Sequence, residues 1–217
     1  MKYFVAIAGN IGVGKSTLTS LMADRLGWEP YPEAVSENPY LADFYQDMPR
    51  WGFHSQVFFL LRRLRQHHES LQNQGSVIQD RSVYEDAEIF ARNLYLQGNI
   101  SDRDWETYSD LYKTLSLLLT PPDLVVYLKA STPTLLRRIA QRGREYERSI
   151  SGEYLESLNR LYDEWATHFS LCPVLTVATD KLNYVINEEH LDQVIRVIED
   201  RLHGKETLEL ENGVSPH

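Results

Sequence analysis

Phe4-Val5-Ala6-Ile7-Ala8 runs directly into Gly9-Asn10-Ile11-Gly12-Val13-Gly14-Lys15-Ser16-Thr17, and this junction decides the fold. The first five residues are apolar and partly β-branched, which predicts a buried strand. The residues from Gly9 to Ser16 match G-x-x-x-x-G-K-[ST] in full. That motif acts only where it leaves a strand and opens a helix, and Ser16–Leu26 carries apolar residues at helical spacing. In such a setting the glycines let main-chain N–H groups wrap an anion at a helix N-terminus. Lys15 is expected to reach the β- and γ-phosphates of a nucleoside triphosphate and Ser16 to offer its hydroxyl to Mg²⁺, so Gly9 to Thr17 is the expected ATP-binding stretch.

Working outward, further short β-branched runs stand at Val77–Ile78, Leu124–Leu128 and Val174–Val177, with a weaker extended piece around Trp28–Pro32. Between them the apolar spacing predicts helices over Ser16–Leu26, Phe53–Asn73, Tyr84–Leu96, Asp102–Leu119, Thr132–Arg142, Gly152–Phe169 and Glu188–Leu202. Strand and helix alternate, which implies an α/β fold with about five parallel strands and helices on both faces. Ligands of such sheets bind at the carboxyl ends of the strands.

The chain has 217 residues, a length that suits one domain, taken as 1–203, with 204–217 reading as a polar tail. Its net charge of −9 argues against a nucleic acid polymer as partner. The lone Cys172 excludes an internal disulfide and a thiolate zinc site. The apolar stretch Tyr3–Ala8 is too short for a signal peptide, and no apolar run approaches the roughly 18 residues of a membrane span. A soluble cytoplasmic protein is expected.

P-loop proteins include switches, motors and small-molecule kinases. No Asn-Lys-x-Asp is present to read guanine, and the chain is short for a motor. A kinase acting on a small alcohol needs a base, an acceptor pocket and cations over the transferring group. Glu33, after the weak second strand, is the candidate base. Asp80, ending Val77-Ile78-Gln79-Asp80, is the candidate second magnesium contact, although strand-end Asp is often only a cap. Arg137, Arg138, Arg142, Arg144 and Arg148 crowd around Gly143, which suggests a phosphate lid with a hinge. Gln56 and Arg63 share one helical face amid apolar neighbours and suggest the acceptor pocket, while an ordinary solvated polar face explains them equally well.

Tyr31-Pro32-Glu33-Ala34-Val35, Phe53-His54-Ser55-Gln56, Asp80-Arg81-Ser82 and Arg142-Gly143-Arg144 together resemble the deoxynucleoside kinase family over about residues 3–203. Within it the chain is most similar to the bacterial deoxyadenosine kinases, through Gln79-Asp80-Arg81-Ser82-Val83-Tyr84-Glu85-Asp86 and Gln141-Arg142-Gly143-Arg144-Glu145. The resemblance implies ATP- and Mg²⁺-dependent phosphorylation of a 2′-deoxynucleoside 5′-hydroxyl, deoxyadenosine ahead of deoxycytidine and deoxyguanosine. It implies that Glu33 accepts the hydroxyl proton while Arg81 holds both, and that Lys15 with lid residues Arg138, Arg142 and Arg144 meets the phosphates. Arg137 and Arg148 would then be surface charge. Tyr45 and Glu153 would bind the 3′-hydroxyl, Gln56, Arg63 and Asp86 would read the base, and Phe90 would stack on it. Asp180–Leu182 would lie beside the donor adenine, and the family resemblance implies a homodimer. Two departures are Asp80, where many relatives carry Glu, and Ser55, a small residue expected to leave room for a purine. An ionised Asp86 can only accept hydrogen bonds and so disfavours thymine, which has no amino group. The other readings are a nucleoside monophosphate kinase and a nucleotide-binding protein without transfer chemistry.

Overall fold

The computed structural model describes residues 2–33 and 37–204. Ala34 and Val35 of the candidate base loop, and the tail from 205 onward, lie outside the described residues. Five parallel strands form one sheet: β1 (Phe4–Gly9), β2 (Glu29–Tyr31), β3 (Val77–Asp80), β4 (Leu124–Lys129) and β5 (Val174–Ala178), in the order β2-β3-β1-β4-β5. β1 and β3 are buried along their whole length, as is β4 up to its last residue, which is why β1 and β4 read as nearly continuous apolar runs, while β3 ends in the buried polar pair Gln79 and Asp80. The short β2 is an edge strand, where Pro30 costs no ladder donor.

After β1 the chain turns toward β2, and after β3 it crosses to β4, so the connections diverge between the adjacent strands β1 and β3. Crevices at such a reversal are where open α/β sheets bind ligands. The register sets Ile7 against Asp80 and Gly9 against Leu128. The phosphate loop and Asp80 therefore leave the sheet side by side. Gly9 has φ 141°, and a Cβ there would stand 2.5 Å from the Leu128 carbonyl oxygen, so only glycine lets the loop pass β4.

Helix α1 (Lys15–Leu26) follows the loop and ends on the left-handed Gly27. The helix expected from Phe53 starts earlier: α3 spans Met48–Gln72, because Asp47 accepts a hydrogen bond from the Arg50 N–H (3.2 Å) and Pro49 occupies the first turn. Such a cap contributes roughly 1 kcal/mol. A short helix not expected from the periodicity, α2 (Leu41–Gln46), buries Leu41 and Phe44.

The stretch expected as one helix over Tyr84–Leu96 is α4 (Val83–Glu85), a π-helical segment Asp86–Ala91 and α5 (Arg92–Leu96). π segments recur at functional sites because they re-aim side chains within a helix. Helix α6 (Asp102–Ser116) stops short of Leu119, α7 (Thr132–Arg142) ends on Gly143 at φ 71°, and α8 (Gly152–His168) and α9 (Glu188–Leu202) complete the layers. Arg81, between β3 and α4, is the only non-glycine with positive φ (74°) among the described residues. Holding an L-residue there costs on the order of 1–3 kcal/mol, which its surroundings must offset.

Candidate active site

The carboxyl ends of β1 and β3 open onto a cavity of about 840 Å³. Ile11, Gly12, Val13, Gly14, Lys15, Ser16 and Thr17 line it, while Gly9 and Asn10 do not. Asn10 is buried and anchors the loop to α8: its amide donates to the Leu155 carbonyl (2.9 Å) and Asn159 Oδ1 (2.8 Å), and its Oδ1 accepts from the Ile11 N–H (2.7 Å). Gly14 has φ 107° and its carbonyl accepts from the Tyr184 hydroxyl (3.0 Å), which ties the loop to the segment after β5. Burial, helped by the Arg81 charge, pulls the Lys15 ammonium down to about 8.

Ser16 Oγ donates to Asp80 Oδ2 at 2.5 Å, and the other oxygen, Oδ1, is buried without a hydrogen-bond partner. A buried carboxylate oxygen left unpaired beside a hydroxyl is a costly arrangement unless a cation completes it. The donor set is hard oxygen, which fits Mg²⁺ held by one protein carboxylate together with substrate phosphates. Among the described residues there is no cluster of three or more His, Cys, Asp or Glu that would suggest an all-protein metal cage.

Glu33 lines the same cavity. Its Oε1 accepts from Arg81 Nε (2.7 Å) and from Arg63 Nη2 (3.4 Å). Burial alone would raise its pKa, but the charges of Arg81, Lys15 and Arg63 hold it down at about 2. Arg63, 2% exposed, also donates to the Asp80 carbonyl (2.7 Å) and to Asp86 Oδ2 (3.2 Å). It lies behind the cavity wall rather than in it, so it braces Glu33 and Asp86 instead of facing a ligand.

Asp86, Gln56 and Phe90 are buried and line the same cavity. Burial raises the Asp86 carboxyl to about 6 against the pull of Arg63 and Arg81. Gln56 Oε1 is buried without a partner, an acceptor awaiting a donor. The Arg81 guanidinium sits 4.4 Å from the centre of the Phe90 ring. Ser55 does not line the cavity: it is fully buried and accepts from Asn38 Nδ2 (3.0 Å), so its small size creates no room for a base.

Tyr45 lines the cavity with Tyr146 stacked on it (6.0 Å, 19°). Glu153, expected beside it, is exposed in the first turn of α8 and is not part of the lining. Burial pushes the Tyr45 hydroxyl well above its ordinary range, helped by the carboxylates of Glu147 and Glu33, which both line the cavity; Glu147 is 4% exposed. Glu147 also receives Arg142 (Nη2, 2.6 Å) and Arg144 (Nη1, 3.4 Å), so these lid cations rest on a carboxylate.

Arg138 lines the cavity as well, and its guanidinium is also bonded to main chain. It donates to the carbonyls of Val13 (2.8 Å), Thr179 (2.7 Å) and Leu182 (3.3 Å), and so straps the phosphate loop to the segment after β5. Arg137, expected to be surface charge, lines the cavity, as do Asp180 and Leu182, whereas Arg148 does not.

The sequence profile described as Deoxynucleoside kinase matches residues 5–203. The chain is 37% identical over 206 residues to a protein named Deoxyadenosine/deoxycytidine kinase from Bacillus subtilis (strain 168), which covers 93% of this chain and 94% of that one. It is 32% identical over 195 residues to the Deoxyguanosine kinase of the same strain, covering 88% and 93%. Among solved structures it is similar to deoxyadenosine kinase from M. mycoides with bound dATP, with a TM-score of 0.80, 32% identity and coverage of 91% of this chain and 99% of that one.

Proposed function

This chain belongs to the deoxynucleoside kinase family, and we propose that within it the protein transfers the γ-phosphoryl group of ATP to the 5′-hydroxyl of deoxyadenosine, with deoxycytidine as second substrate. The observation that carries this reading is Glu33, a carboxylate fixed by Arg81 at 2.7 Å in the cavity that the phosphate loop also lines. Glu33 takes the hydroxyl proton, Arg81 holds Glu33 and the hydroxyl oxygen, and Lys15 and the loop N–H groups meet the donor phosphates. A carboxylate held near pKa 2 is a weak base in the free protein. Donor phosphates beside Lys15 bring negative charge that offsets the cations, which raises the proton affinity of Glu33 when the donor is in place. Mg²⁺, held by Ser16 and Asp80, would neutralise charge on the phosphates when bound. Arg142 and Arg144 then exchange Glu147 for phosphate oxygens, and Glu147 with Tyr45 turns to the sugar 3′-hydroxyl.

The acceptor wall favours a nucleoside over a nucleotide. Of the cations that hold Glu33, Arg63 lies behind the cavity wall and Arg81 is paired with Glu33 at 2.7 Å, so an acceptor phosphate on this wall would have to displace the ion pair that holds Glu33. For the base, the unpaired Gln56 oxygen and the Asp86 carboxylate both call for a donor. Adenine and cytosine present an exocyclic amino group, whereas guanine and thymine present an oxygen at the corresponding position. The name of the Bacillus subtilis relative supports the same pair. The family resemblance extends the proposal to a cytoplasmic homodimer; among the described residues no helix is long and apolar enough to cross a membrane.

A competition assay tests the reading: equal amounts of the four common deoxynucleosides with ATP and Mg²⁺, products resolved by mass. Deoxyadenosine monophosphate should dominate, with deoxycytidine monophosphate next. Phosphorylation of nucleoside monophosphates but not of nucleosides would overturn it.

A further inference from the structure

Arg81 sits in a backbone conformation that L side chains avoid, yet its guanidinium has to be placed to within fractions of an ångström if it is to aim Glu33. Two buried residues outside the cavity lining set that placement. Tyr162, on α8, accepts a hydrogen bond from Arg81 Nη1 (2.7 Å) and holds its own proton toward the Gly9 carbonyl or Glu85 Oε1, each at 2.8 Å. Glu85, in α4, accepts from the Gly9 N–H (3.2 Å) and Arg81 Nη1 (3.4 Å) through Oε1, and from the Ser82 N–H (2.7 Å) and Ser82 Oγ (3.1 Å) through Oε2. The pair therefore grips both main-chain polar groups of Gly9, where the phosphate loop leaves β1. It also grips the side chain of Arg81 and the N–H of the residue that follows it.

We infer that Tyr162 and Glu85 are positioning residues that lock the phosphate cradle and the Arg81–Glu33 couple into one rigid unit, so that donor and acceptor are aligned before either binds. The inference rests on Glu33 being the base. A chain that must bring two substrates into line gains most from fixing the groups that hold each of them to each other, since misplacement by about an ångström costs on the order of 100-fold in rate. Neither side chain reaches the cavity, so neither contributes to substrate affinity directly.

The test is a kinetic cycle of Tyr162→Phe and Glu33→Gln, with Glu85→Gln as an independent second variant. Phenylalanine keeps the ring that stacks on Tyr127 (5.4 Å, 8°), so the fold is retained while one hydroxyl is lost. Tyr162→Phe and Glu85→Gln should each lower kcat by about 10- to 100-fold and leave KM for ATP and nucleoside within about threefold. Glu33→Gln should lower kcat by about 10²- to 10⁴-fold, and in that background Tyr162→Phe should have almost no further effect. If Glu33→Gln is damaging but the tyrosine change multiplies its loss in full, or raises KM with kcat intact, positioning is refuted and the base assignment survives. If Glu33→Gln turns over like the parent, the base assignment falls and this inference with it.

Discussion

Replacing Asp86 by Asn should make the protein more stable and less selective at once. Burial lifts this carboxyl from 3.8 to about 6 even with Arg63 at 3.2 Å. That rise corresponds to about 3 kcal/mol by which the fold penalises the ionised form. Between pH 3.8 and about 6 the folded chain binds more protons here than the unfolded one, so this group's contribution falls as pH rises through that window and the penalty is complete above it. Asparagine keeps a carbonyl oxygen for Arg63 and carries no charge. At pH 7.5 the variant should gain up to about 3 kcal/mol, or roughly 6–12 °C in Tm for a chain of this size, and the gain should vanish as pH is lowered toward 4. Thermal unfolding of both proteins across that pH range measures it. The same change supplies an N–H donor, so bases that present an oxygen no longer face a bare carboxylate, and discrimination against thymidine should weaken by about 1–3 kcal/mol in relative kcat/KM. A variant no more stable at pH 7.5, or one whose advantage persists unchanged in acid, would show that the charge of Asp86 carries no such penalty.

Other predictions bear on the neighbouring groups. Glu147→Gln and Tyr45→Phe should each lower kcat/KM for deoxyadenosine by about 10- to 100-fold while leaving a 2′,3′-dideoxynucleoside little affected, and equal losses on both substrates would remove these residues from 3′-hydroxyl recognition. Asp80→Asn should raise the Mg²⁺ concentration for half-maximal rate on the order of 10- to 100-fold, read from activity against Mg²⁺ at fixed ATP; an unchanged requirement would make Asp80 only a partner of Ser16. Gly14→Ala places a side chain at φ 107° and against the Tyr184 ring and hydroxyl, so KM for ATP should rise with KM for the nucleoside unchanged, and a normal ATP KM would mean the loop tolerates the shift.

How far the molecule was legible beforehand depended on how local each signal was. The phosphate loop, its strand and its helix are contiguous, and their chemistry is written in consecutive residues. β3, β4 and β5 are visible as β-branched runs, whereas the edge strand β2, Glu29-Pro30-Tyr31, shows only as an extended piece, and the meeting of Ser16 with Asp80 follows from the pairing of β1 with β3. The resemblance points to Glu153 as a carboxylate for the 3′-hydroxyl, but Glu153 has an ordinary reason for its place: it follows the Ser151 cap in the first turn of α8, where acidic residues favour the helix dipole. Glu147, set among Arg142, Arg144 and Arg148, carried a signal that went unread, since a carboxylate inside an arginine cluster tends to be claimed by it. Arg138 shows the converse. Its place in the arginine run points to the cavity, which it does line, but the carbonyls it also engages come from segments 41 or more residues away, and no spacing rule reveals them. Tyr162 and the bond of Glu85 to Gly9 are hidden for the same reason, since only the packed fold brings them to β1, whereas the Ser82–Glu85 capping box is local and readable from spacing.

Whether the phosphate cradle and Glu33 face one reacting hydroxyl can be seen in a crystal structure with deoxyadenosine and a non-transferable ATP analogue. The 5′-oxygen should lie about 2.6–3.2 Å from a Glu33 carboxylate oxygen and on the line extending the terminal bridging bond of the analogue. A nucleoside whose 5′-oxygen points away from Glu33, or a Glu33 turned to solvent with both ligands in place, would rule Glu33 out as the base.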